Sequence, residues 1–238
     1  METKILNRRA TLFINTPMIY NDQTLPDYIQ SVAELKLIPS LNKGLGVKIA
    51  PDGSVIPEQM ISLDLKNIED SFKVTLGIDR FDIVSSLNNN NNSLDCFLQK
   101  VKEVKNALNK IYSGKYNRLA LGSVCVFYIN PEKMNLLYNK MVNTELEEQP
   151  VEWSIRKVIR TTIENEKYRL VINNVYTISR RIVIEDGSNT DSIVLEHDIN
   201  TLAGSDISAI ADLSDLFIQK ASETISESIN SYSKYINS

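Results

Sequence analysis

The chain has 238 residues and a net charge of −4, with 42% hydrophobic and 24% charged residues, eight Gly and seven Pro. That composition is globular; it excludes disordered, collagen-like and fibrous chains, and the length suffices for a sizeable core without disulfide or metal staples. The longest apolar runs, such as Val124 to Ile129, fall far short of the roughly 20 residues of a membrane-spanning helix.

Met1 to Ala10 carries Glu2, Lys4, Arg8 and Arg9 with no apolar stretch after it, so a secretory leader is not expected and a cytoplasmic location is. Arg9 to Ile14 then reads as a short strand. Thr24 is placed to cap a helix with Pro26 in its first turn and Leu25, Tyr28, Ile29, Val32 and Leu35 at helical spacing. From Leu45 the period falls to two through Val47 and Ile49. A turn at Ala50 to Gly53 and a second run through Ile61, Leu63 and Leu65 make a hairpin. Phe72 to Leu76 and Phe81 to Val84 predict a further strand pair or one bent strand. The Asn88 to Asn92 run is a polar loop, and its Asn-x-Ser sequon needs no glycan to explain it.

Leu94 to Tyr112 returns to helical spacing through Phe97, Leu98, Val101, Val104, Leu108 and Ile111, with Gly114 to end it. Leu119 to Ile129 reads as a strand covered on both faces, and Pro131 opens a helix carrying Met134, Leu136, Leu137 and Met141. Trp153 to Ile163 and Tyr168 to Ile184 are long strands about a turn near Asn165. Asp186-Gly187-Ser188 turns the chain into a partner strand, Ile193 to Ile199. Ser205 or Asp206 caps a long last helix striped by Ile207, Ile210, Leu213, Phe217, Ala221, Ile225 and Ile229. Cys96, in a helix, and Cys125, in a strand, have no second cysteine at metal or redox spacing and are expected to be buried thiols.

Strand, helix, strands, helix thus occurs twice. The expected fold is α+β with two similar halves, 1–114 and 115–238, each a curved, mainly antiparallel sheet covered by a long helix. This order is similar, at the level of topology, to the half-repeat of saddle-shaped folds of the TATA-binding-protein kind, from which no function carries over.

Charge is uneven along the chain. Residues 93 to 118 hold six Lys/Arg against two acids, 151 to 184 hold seven against three, and 185 to 238 hold ten acids against two lysines. Lys100, Lys102, Lys105 and Lys110, with Arg156, Lys157, Arg160, Arg180 and Arg181, are candidate phosphate contacts, although a solvated face is the simpler reading and nucleic acid is not favoured. Pro51-Asp52 followed by Asp64-Leu65-Lys66 is similar to the Pro-Asp, Asp/Glu-x-Lys pattern of metal-dependent nucleases, in which two carboxylates hold Mg or Mn and the lysine activates water. Pro-Asp-Gly is equally ordinary turn chemistry. His197, the only histidine, lacks a second ligand for zinc or a nucleophile elbow, and is read as a surface or strand-end residue. Gly44-Leu45-Gly46 precedes a strand, the wrong context for a phosphate loop. The apolar end of the last helix, with Phe217, Ile225, Ile229 and Tyr232, is a candidate self-association surface.

The segments FKVTLGIDRFDIV at Phe72 to Val84, RLALGSVCVFYIN at Arg118 to Asn130 and VLEHDIN at Val194 to Asn200 resemble those of a sporadically distributed family of uncharacterised bacterial proteins of similar length. The resemblance implies a bacterial or phage origin, a patchy distribution that fits cargo of mobile elements including phage-defence systems, and no catalytic residues to carry over. The expectation is a non-enzymatic binding or assembly protein that holds a protein partner or itself, with the metal-dependent nuclease as the alternative.

Overall fold

The structure, a computed structural model, describes residues 2–50, 52–86, 93–112, 114–142, 148, 150–164, 169–185, 187–205, 207 and 211–237. The strands are β1 (Glu2–Ile14), β2 (Ile38–Ile49), β3 (Val55–Lys66), β4 (Phe72–Leu76), β5 (Arg80–Ser86), β6 (Tyr116–Tyr128), β7 (Trp153–Glu164), β8 (Arg169–Glu185) and β9 (Ser188–Thr201). The helices are α1 (Thr24–Val32), α2 (Leu94–Leu108), α3 (Pro131–Val142) and α4 (Ala211–Asn237), with a 3-10 turn at Ala33–Leu35. None of these helices is long and apolar enough to cross a membrane.

The nine strands form one sheet in the order β2-β3-β4-β5-β1-β6-β9-β8-β7, and the pairings β2-β3, β3-β4, β4-β5, β6-β9, β7-β8 and β8-β9 are antiparallel. This corrects the expected fold class: the chain remains α+β, but it does not build two halves with a sheet each under its own long helix. The reason lies in pairing, which element order does not encode. β1 and β6 lie side by side, so edges that separate halves would have to shield are joined into one ladder.

By contacts the chain divides into two compact units, one of residues 9–119 and 203–214 and the other of residues 1–8, 120–202 and 215–238. In the first, Leu12, Leu63, Leu65, Val74, Leu76, Phe81 and Ile83 are buried along the strands, and α2 buries Phe97, Val101, Val104, Ala107 and Leu108. α2 starts at Ser93, whose hydroxyl accepts the Cys96 N–H (3.2 Å), and beyond its end Tyr112 packs edge-on against Phe81 (5.6 Å). Cys96 is exposed, contrary to expectation, because it lies off the buried stripe of α2; Cys125 is buried, which pushes its thiol pKa up to about 12.

In the second unit, Cys125, Phe127, Met134, Leu137, Trp153, Ile178, Ile193, Leu195 and Ile236 make one cluster against which Ile229 and Tyr232 pack. Ile207 belongs to the first unit and not to the last helix; it is buried and donates its N–H to the Tyr116 carbonyl (3.2 Å). The polar loop at 88–92, Pro51, the turn at Asn165, the cap at Asp206 and Ile210 lie outside the described residues.

Candidate functional site

The Ala50 to Ser54 turn closes the β2–β3 hairpin: Ala50 N–H donates to the Ser54 carbonyl (2.8 Å), and Gly53 sits at φ +84°, which a side chain would resist. Twelve rungs follow, from Ile49 opposite Val55 to Ile38 opposite Lys66. Only Leu63 to Lys66 of β3 pair onward with β4, so the rest of the hairpin projects as an arm with no strand beside either edge among the described residues.

Residues directly opposite in a ladder point to the same side. Leu41, Lys43, Leu45, Val47 and Ile49 therefore share a face with Val55, Pro57 and Ile61, and that face continues into buried Leu63 and Leu65. On the arm it is uncovered: Leu45 is 89% exposed, Val47 71%, Ile49 72% and Val55 62%. The hairpin is legible in the sequence but this exposure is not, because apolar alternation looks the same whether a face is covered or bare.

The nuclease-like residues do not come together. Asp52 is at the hairpin tip, where the Ser54 hydroxyl (2.6 Å) and then its N–H (2.9 Å) hold the carboxyl below its usual range. Asp64 lies opposite Ser40, nine residues along β3 from Val55, a separation on the order of 30 Å at about 3.3 Å per residue. It is buried and receives Lys73 (2.6 Å) and Asn42 (2.7 Å), while Lys66 pairs with Asp70 (3.1 Å). No group of three or more metal-ligating side chains occurs among the described residues. Asp64 is thus built as an anchor between β2, β3 and β4. Asp64→Ala is expected to cost about 2 kcal/mol of stability by freeing Lys73 and Asn42. An unfolding free energy from urea titration within about 0.5 kcal/mol of wild type would sink that assignment.

The basic candidates divide between the units. Lys100 stacks over the Phe72 ring (4.8 Å), Lys102 is exposed, Lys105 is buried and donates to the Ser214 hydroxyl, and Lys110 pairs with Glu34 (2.6 Å). Arg156, Arg160 and Arg181 share one face of the other unit with Glu196 and Asp198, by the registers of β7, β8 and β9. Arg181 pairs with Glu196 (2.6 Å) and Arg160 donates to Asn173 (3.1 Å), so this face carries cations already partly engaged. Arg180 points to the opposite face, where it is buried.

Phe217 and Ile225 are buried, and Ile229 and Tyr232 pack on the core of their own unit, which occupies much of the surface expected to bind a second copy. α4 is shorter than the longest strand of its unit. A helix of 27 residues spans about 40 Å. The 17-residue β8 spans about 55 Å.

His197 is buried rather than at the surface, between Ser123 of β6 and Tyr176 of β8 in the ladder. Its signal in the sequence is the period-two run Ile193, Leu195, His197, Ile199, which puts it on the apolar face despite its acidic neighbours. Nε2 lies 2.7 Å from the Ser228 hydroxyl of α4, and Nδ1 has no hydrogen-bond partner among the described residues. A bare acceptor costs less than an unmet donor, which favours the tautomer with the proton on Nε2. Burial lowers its pKa to about 4. Beside this pair is an open cavity of about 330 Å³ lined by Lys157, Ile159, Tyr176, Glu227, Ser228 and Tyr232, among others.

No protein-family model matches the sequence, and no curated protein matches it.

Proposed function

We propose that the protein is a non-enzymatic binding or assembly factor that acts through protein–protein contact, with the β2–β3 arm as its contact surface. The observation that carries this reading is the uncovered apolar stripe of Leu45, Val47, Ile49 and Val55 on the part of the hairpin beyond the β4 pairing, which has no strand at either edge among the described residues. Exposed apolar surface of this extent on a strand pair is a docking feature or an aggregation hazard, and a two-stranded hairpin alone is only marginally stable in water. The resemblance to a patchily distributed bacterial family fits an accessory component of a mobile-element or phage-defence system. Against the nuclease alternative stands the separation of Asp52 from Asp64 along the hairpin.

Val47→Lys puts a charge in the middle of the stripe on an exposed residue. It is expected to weaken capture of the binding partner in pull-downs from the host by at least about tenfold, with stability unchanged to within about 0.5 kcal/mol. Identical capture by wild type and variant would remove the arm from the reading.

A further inference from the structure

We infer that the apolar face of the arm is covered by the same face of a second copy of this chain, the two arms packed antiparallel about a two-fold axis. This rests on the arm being the contact surface and names its occupant. Three features point to self-complementarity.

The first is area. At about 100 Å² of apolar side-chain surface per aliphatic residue, the exposed parts of Leu41, Leu45, Val47, Ile49 and Val55 offer on the order of 350 Å² per chain. Two copies face to face therefore bury roughly 700 Å² of apolar side chain before backbone and Pro57 are counted, which is the scale of a weak, concentration-dependent dimer.

The second is shape. Alternation along β2 gathers Leu41, Leu45, Val47 and Ile49 on one face, and two such faces stack at about 10 Å with side chains interdigitated. Gly44 and Gly46 lie on the other face of the arm, opposite Met60 and Glu58, so they leave no gap in the stripe.

The third is charge. Lys43 is the cation of the apolar face, exposed and four residues from Val47 toward the base of the arm; Asp52 is exposed at the tip. A two-fold axis at the Val47–Pro57 rung sets each Lys43 against Asp52 of the other copy, twice per dimer. A parallel arrangement would set lysine on lysine. Exposed pairs add little affinity, so their part is to fix orientation.

The test is sedimentation equilibrium of the full chain from about 1 to 100 μM, with far-UV spectra to confirm folding. Wild type is expected to form a dimer dissociating in the micromolar range. Lys43→Glu and Asp52→Lys, each of which turns two attractions into two repulsions, are expected to weaken it about tenfold. Mixed in equal amounts the two variants are expected to restore it. In the mixed dimer the glutamate introduced at position 43 of one copy meets the lysine introduced at position 52 of the other, and the unchanged Lys43 and Asp52 meet at the second contact. A wild-type monomer throughout overturns the proposal, as does a dimer indifferent to Lys43→Glu. A dimer broken by Val47→Lys but not by the charge changes overturns the antiparallel pairing and leaves the arm as the contact surface. Capture of a different protein by a monomeric chain does the same.

Discussion

Arg180→Ala is expected to destabilise the protein by about 3 kcal/mol, the largest loss from a single polar side chain here. Arg180 is 8% exposed at its side chain and holds three segments together. Nη2 meets Asp191 of β9 (2.7 Å), while Nη1 donates to Asn135 of α3 (3.0 Å) and to the Pro150 carbonyl before β7 (3.1 Å). Removal strands an amide oxygen and a carbonyl as well as a carboxylate. Asp191 remains 39% exposed, so solvent screens part of the loss and the figure sits at the lower end for a broken buried pair. Arg180→Lys is expected to recover less than half, since an ammonium cannot reach both the Asp191 and the Asn135 side of the fork. Trp153, the only tryptophan, lies opposite Arg180 in the ladder, so its fluorescence during urea unfolding is the natural readout. A loss under about 1 kcal/mol would mean that the three segments are held by packing alone.

Stability is expected to fall as pH drops from about 6.5 to 4, by about 3 kcal/mol from His197 alone. The folded ring has its pKa lowered from 6.5 to about 4 because burial opposes its charged form. Above about pH 6.5 the ring is neutral folded and unfolded, and contributes no pH dependence. Between the two values only the unfolded chain takes up the proton, so acid favours unfolding; below about 4 both states are protonated and the slope ends. Beside the ring are Ser123 and Tyr176, its ladder neighbours, the latter edge-on at 5.2 Å, and the Ser228 hydroxyl, none of which offers a negative charge to a protonated ring. His197→Gln keeps a donor for Ser228 without titrating. The difference in unfolding free energy between wild type and this variant is expected to shift by about 2 kcal/mol between pH 7 and about pH 5. A difference that does not move with pH would show that the ring is hydrated in the folded state.

Local structure is largely readable from the residues. Pro131 at the start of α3 and the Ala50 to Gly53 turn each act through chemistry within a few positions, and each lies at the element boundary it predicts. Long-range pairing is not readable. Nothing in Glu2–Ile14 or Tyr116–Tyr128 announces that these two strands are neighbours, because any strand with an apolar face can satisfy any other. The Asp52 and Asp64 grouping fails for a reason already present in the sequence. A hairpin turning at Gly53 with strands of a dozen residues must carry Asp64 back to the base of the arm. The charged flanks of His197 suggest a surface position, but the alternation that contains it decides its face. The exposed stripe on the arm is beyond sequence, since exposure depends on where β4 stops pairing with β3.

The two ends of the sheet are alike in the sign of their charge, which governs how copies can join. The β2 segment holds two lysines, Lys43 and Lys48, and no acid, and β7 holds Arg156, Lys157 and Arg160 against the single Glu164. Head-to-tail growth into fibres requires the rim of β2 on one molecule to zip onto the rim of β7 on the next, which would bring one cationic strand against another along the seam. Open-ended polymerisation is thereby disfavoured.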